Sequence, residues 1–117
     1  MAPFTSDPSH ELDPERVKEM LDRGEIELID VREQYEWEAG RIAGAKHIEL
    51  ERLAGRADEL SRERPLVFQC RLGARSAMAT EAFRASGYDA YNMTGGIIAW
   101  ADRGLPLEPQ GGEVARH

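Results

Sequence analysis

Leu66-Val67-Phe68-Gln69-Cys70-Arg71-Leu72-Gly73-Ala74-Arg75-Ser76 is the stretch that decides the fold. Closed in front by Pro65, its first residues form a short apolar run that reads as the central strand. The run ends at the only cysteine of the chain and continues through a turn over residues 70–75, with arginine at its second and last places. A helical segment follows, in which Ala77, Ala82, Phe83 and Ala85 supply small residues for close packing, and Ser86-Gly87 ends it. A strand that delivers one cysteine into a turn leading directly to a helix is how α/β proteins build a nucleophile or an anion cradle.

The turn has the parts such a cradle needs. Consecutive backbone N–H groups, a glycine at position 73 able to take a left-handed conformation, and the amino end of the next helix converge on one point. The same positive field favours the thiolate form of Cys70. Arg71 and Arg75 add planar, permanently charged forks suited to oxyanions. The plain alternative for Cys70 is an inert core thiol, and a glycine with two arginines in the next five residues counts against it. Arg75 falls in the first helical turn, where a cation opposes the helix dipole, so it should have an anion or carboxylate to meet. Four residues separate Cys70 from Arg75. A cysteine-phosphatase loop has five, so this shorter turn fits the extra sulfur of a persulfide better than a phosphoryl group.

Working outward, strands alternate with helices. Upstream, Asp13-Pro14-Glu15 has the chemistry of a helix start, and Val17, Met20 and Leu21 give an apolar stripe that Gly24 stops. A very short edge strand is expected over residues 10–12, a stronger one over 25–31, and a short helix over 33–39 ended by Gly40. Residues 42–48 form a glycine-hinged segment, and Leu50, Leu53, Ala57 and Leu60 have helical spacing despite Gly55. Downstream, a last strand over 88–93 passes through Thr94-Gly95-Gly96 into a helix over 97–101. This alternation indicates an α/β fold, a parallel sheet with helices on both faces, whose ligands bind beyond the carboxyl ends of the strands, where Cys70 lies.

Composition narrows the function. A chain of 117 residues with 41% hydrophobic content supports one core. The formal net charge of −7 opposes nucleic-acid binding by bulk charge. A single cysteine excludes an intrachain disulfide and a thiolate-caged metal, and fits a reducing, cytoplasmic setting. No stretch has the length or apolarity of a membrane span. His10, His47 and His117 lie far apart in sequence, so no metal site is expected. One domain is expected over residues 9–106, with a flexible arm at 1–8 and a C-terminal tail at 107–117; residues 104–109 read as an extended wrap and 110–117 as frayed.

Four motifs, in order, resemble the rhodanese family of sulfurtransferases in its compact single-domain form. They are Asp30-Val31-Arg32, the segment 38–48, the loop 70–76, and Asn92-Met93-Thr94-Gly95-Gly96-Ile97-Ile98-Ala99-Trp100. In the second, Arg41 stands where a histidine is common and Ala43 where a proline is common. The resemblance implies a three-layer fold with a central, mostly parallel five-stranded sheet. It also implies a double displacement without cofactor. Cys70 takes a sulfane sulfur from thiosulfate or another persulfide donor and passes it to cyanide, a thiol or a protein cysteine. Arg71, Leu72, Gly73, Ala74 and Arg75 would bind the substrate, with Arg71 on the oxyanion and Arg75 fixing the loop through Asp30 or Glu38. Asp30, Arg32 and Ser76 would support the site. Ala74 departs from thiosulfate-using relatives that carry a second cation there. A persulfide carrier serving a protein partner is the alternative function, and a small cysteine-dependent phosphatase or arsenate reductase ranks third. A monomer is expected.

Overall fold

The computed structural model describes residues 9–116. The arm expected at 1–8 and the last residue of the expected tail lie outside the described residues. In chain order the elements are β1 (Glu11–Leu12), α1 (Pro14–Asp22), β2 (Glu27–Asp30), α2 (Gln34–Ala39), β3 (Lys46–His47), β4 (Leu66–Gln69), α3 (Ala74–Ala85), β5 (Ala90–Met93) and α4 (Gly96–Asp102). The five strands form one sheet in the order β1-β5-β4-β2-β3, and every pairing is parallel. The cysteine-bearing β4 is the central strand.

Local chemistry explains where the elements begin. Asp13 caps α1 by accepting from the Arg16 amide at 2.8 Å, and Pro14 occupies the first helical turn, where its missing N–H costs nothing. Glu33 and Glu36 form a capping box at the start of α2. β2 and β4 read as apolar runs because alternate side chains enter different cores. Leu28 and Val67 join Val17, Met20, Tyr91, Ile97 and Trp100 beneath α1 and α4. Ile29, Leu66 and Phe68 join Phe83, Tyr88 and Cys70 on the α3 face. Burial of each large side chain contributes roughly 1.5–3 kcal/mol, so both faces must be covered for the sheet to persist.

Three expectations change. Residues 50–60 do not form one α-helix; they form two 3-10 segments, Leu50–Arg52 and Ala54–Glu59, the second interrupted by a non-helical Arg56. The packed face of α3 is Ser76, Ala79, Thr80 and Phe83, whereas Ala82 and Ala85 are exposed. The large Phe83 and the cysteine-facing Ser76 set the helix's rotation, and alanine is tolerated on either side.

The third change concerns residues 110–116, expected to fray beyond the extended wrap at 104–109. Residues 107–116 form an ordered strap along α2. Arg41 and Glu108 exchange two backbone hydrogen bonds of 2.8 and 2.6 Å, and the Glu113 amide donates to the Ala39 carbonyl at 2.9 Å. Leu107 and Val114 pack on the α1/α4-side core. Gly40 lets the strap approach, since a Cβ there would overlap the Glu113 backbone. Among the described residues, no helix is long and apolar enough to cross a membrane.

Candidate active site

Cys70 leaves the carboxyl end of β4 with 1% of its surface exposed. Three donors converge on its Sγ: the Gly73 amide at 3.1 Å, the Ser76 amide at 3.4 Å and the Ser76 hydroxyl at 3.3 Å. Gly73 makes this possible, because at φ of 109° it turns the loop through a left-handed conformation as the N-cap of α3. The first intrahelical bond of α3 runs from the Ala77 amide to the Gly73 carbonyl. The amides of Ala74 and Arg75 precede it and face the amino end of the helix, where anions are favoured. Such donors stabilise sulfur more as an anion than as a thiol. Cys70, Arg71, Leu72, Ala74 and Arg75 line a pocket of about 220 Å³.

The loop is held from below. The Ile97 amide donates to the Cys70 carbonyl at 2.8 Å and the Ile98 amide to the Arg71 carbonyl at 3.1 Å. Gly96, at φ of 63°, lies so close that a Cβ would overlap the Cys70 and Arg71 carbonyls. Asn92 Nδ2 donates to the Gly73 carbonyl at 3.2 Å and is itself held by the Glu11 carboxylate at 3.1 and 3.2 Å. Gly95-Gly96 is therefore more than a turn into α4: it is the surface on which the cysteine loop rests.

The two loop arginines separate in role. Arg75 forms a fork with Glu36, Nη1 to Oε1 at 2.8 Å and Nη2 to Oε2 at 3.0 Å. Those bonds hold the Arg75 guanidinium above its ordinary value against the opposing effect of burial, and the charges of Glu36 and Cys70 add to them. The expected partners were Asp30 or Glu38, and neither is the one observed. Glu38 accepts from Gln34 Nε2 at 2.9 Å, and Asp30 is committed to Arg32. Glu36 is fully buried and also accepts the Glu33 amide at 2.9 Å, so the capping box of α2 orients the carboxylate that grips Arg75. Arg71 is partly buried and donates Nε to the Ala115 carbonyl of the strap at 3.1 Å.

Asp30 and Arg32 lie in the scaffold. Arg32 Nη2 meets Asp30 Oδ2 at 2.6 Å and the Gly40 carbonyl at 2.8 Å, with both charged side chains fully buried. His47 Nε2 contacts the Arg32 carbonyl at 2.7 Å and its ring stacks on Trp37, over which Arg41 also lies. Arg41 donates to the Trp37 carbonyl at 3.2 Å, a structural role in the place where relatives often carry histidine. Tyr35, on α2, lies within electrostatic reach of Arg71 and Arg75. Desolvation, then the charges of Glu36 and Glu33, raise its phenol above the ordinary value, while Arg75 and Arg71 pull it down. Among the described residues, no group of three or more His, Cys, Asp or Glu side chains is placed to hold a metal ion.

The sequence profile of the "Rhodanese-like domain" matches residues 13–103. The chain belongs to the rhodanese-like family. A sulfurtransferase of Allochromatium vinosum is 36% identical over 105 residues, covering 87% of this chain and 98% of that one. The thiosulfate sulfurtransferase GlpE of Actinobacillus succinogenes is 29% identical and is covered over 89% of its length by 84% of this chain. The rhodanese-related protein of Thermoplasma volcanium superposes with a TM-score of 0.78 at 28% identity, covering 83% of this chain and 95% of that one. This rhodanese-like chain therefore has the five-stranded α/β fold that its motifs imply, and its relatives include sulfurtransferases.

Glu36, Asn92 and the strap escaped the reading of the sequence as parts of the site. Glu36 had one usable signal, its place three residues after Glu33 at a helix start. Asn92 stood inside the closing motif, but only the sheet order shows that β5 runs beside β4 and so reaches Gly73.

Proposed function

We propose that the protein is a sulfurtransferase in which Cys70 carries the sulfur as a persulfide. The observation that carries this reading is the convergence of three donors on the Sγ of the only cysteine, at the floor of an open pocket with two arginines on its loop. A core thiol needs none of them.

In the first step the Cys70 thiolate attacks the outer sulfur of thiosulfate. A new S–S bond forms, the S–S bond of thiosulfate breaks, and sulfite leaves with the electron pair. The product is a Cys70 persulfide anion, whose outer sulfur lies toward the amides of Ala74 and Arg75 at the amino end of α3. In the second step cyanide or a thiolate attacks that outer sulfur and Cys70 leaves as thiolate, so the cycle closes without a cofactor. The terminal amino groups of Arg71 meet the sulfonate end of the donor. Arg75, neutralised by Glu36, holds the loop's shape. Substitution Cys70→Ser should abolish thiocyanate formation from thiosulfate and cyanide, and turnover that persisted in that variant would refute the reading.

A protein acceptor is the second reading, favoured by the surface around the mouth. Leu72, on the loop itself, is 61% exposed, and Tyr35 is 48% exposed. Water-facing apolar side chains at an active-site rim suit a partner's surface better than a small ion. Leu72→Ser should slow transfer to a cysteine-bearing protein several-fold more than transfer to cyanide.

A further inference from the structure

The cations around Cys70 are unevenly engaged. Arg75 gives both arms to Glu36, so that pair presents almost no net charge to a ligand. Arg71 gives its Nε to the strap and is among the residues that line the pocket. Ala74 supplies no charge. Glu33, Glu49 and Glu51 line the neighbouring pocket, which Arg75 shares with the cysteine pocket. A doubly negative donor would thus meet one uncompensated guanidinium on the loop, in a protein of net charge −7.

The strap brings the backbone of a further arginine close to the cysteine loop. The Ala115 carbonyl is fixed by Arg71, and the next carbonyl, that of Arg116, accepts the Tyr35 hydroxyl at 3.0 Å. Two successive residues of the strap are therefore pinned, one to the cysteine loop and one to α2. Upstream, the Glu113 bond to Ala39 and the packing of Val114 set the strap's path, so the position of residue 116 is built into the fold. Arg116 is exposed and forms no ion pair among the described residues.

Resting on the sulfur-transfer reading, we propose that Arg116 is a substrate-binding residue, a cation delivered by the strap that pairs with the oxyanion end of a small dianionic sulfur donor alongside Arg71. It does from outside the loop what Ala74 cannot do from within it. The Ala115 carbonyl meanwhile sets the tilt of Arg71, so the strap contributes to donor binding twice.

Steady-state kinetics with thiosulfate and cyanide test this, with alkylation of Cys70 by uncharged iodoacetamide as the second readout. Arg116→Gln should raise KM for thiosulfate about five- to tenfold with kcat within about twofold, the loss of one exposed charge contact. The same change should weaken the salt dependence of KM. Arg116→Lys should recover most of the KM effect, and alkylation rates should match wild type in both variants. Tyr35→Phe, which frees the strap at this point, should raise KM less and combine non-additively with Arg116→Gln. An unchanged KM in Arg116→Gln, with wild type turning over thiosulfate, overturns the proposal and leaves sulfur transfer standing. Slowed alkylation in step with KM also overturns it, since Arg116 would then act on the loop and not on the donor. If wild-type Cys70 accepts no sulfur from any donor, both readings fall.

Discussion

Asp30–Arg32 and Glu36–Arg75 are both carboxylate–arginine pairs with buried carboxylates, yet they sit at different levels of the structure. Asp30 and Arg32 are two residues apart, both fully buried, and their bonds close the turn from β2 toward Gly40. Glu36 and Arg75 are 39 residues apart, with 19% of the arginine side chain exposed, and their fork ties α2 to the first turn of α3. The first pair is part of the scaffold and the second part of the mouth. Removing one partner of a fully buried pair strands a charge without water, whereas a partly exposed arginine can regain hydration. The same chemistry should therefore give a stability phenotype in one place and a functional phenotype in the other.

Breaking the scaffold pair should have the largest effect on folding. Asp30→Ala leaves Arg32 buried and unpaired, and should cost about 3–5 kcal/mol in urea unfolding. A loss of about 1 kcal/mol or less would place this pair with surface ion pairs and contradict the distinction. Glu36→Gln should cost less stability, about 1–2 kcal/mol, and should slow sulfur uptake by Cys70 about tenfold or more as Arg75 loses its charged anchor. Equal stability losses in the two variants, with uptake untouched in the second, would erase the comparison.

Arg75→Lys sharpens it further. Charge is kept and the two-pronged geometry is lost, so unfolding should change by about 1 kcal/mol while transfer falls several-fold. A lysine variant as active as wild type would mean that charge alone matters at this position. The smallest effect should come from salt. Raising NaCl from about 0.1 to 1 M shortens the screening length from about 10 to 3 Å. The stability cost of Asp30→Ala should stay the same, and that of Arg75→Lys should shrink by a few tenths of a kcal/mol.

The scaffold was largely legible because local patterns encode it. Ile29, Phe68 and their neighbours form apolar runs in strands covered on both sides, and Asp13, Pro14 and Gly24 mark helix ends with side chains that act within a few residues. The cysteine loop was legible for the same reason: Cys70, Gly73 and Ser76 make their contacts inside one turn. Glu36 was not, since its pairing with Arg75 depends on how two helices are brought together. The end of the strap was misread because Gly111 and Gly112 resemble loose chain, while the partners that order it, Ala39 and Arg71, belong to distant segments. The position of Arg75 at a helix start did announce a missing anion, but not which carboxylate would supply it.

The proposed function depends on Cys70 holding sulfur in its cradle of amides. Intact-protein mass spectrometry after incubation with thiosulfate, followed by peptide mapping, tests this directly. Wild-type protein should gain the mass of one sulfur atom on the peptide containing Cys70, lose it on addition of cyanide, and show neither change as Cys70→Ser. An unmodified Cys70 after treatment with thiosulfate and with polysulfide would contradict sulfur transfer at this site.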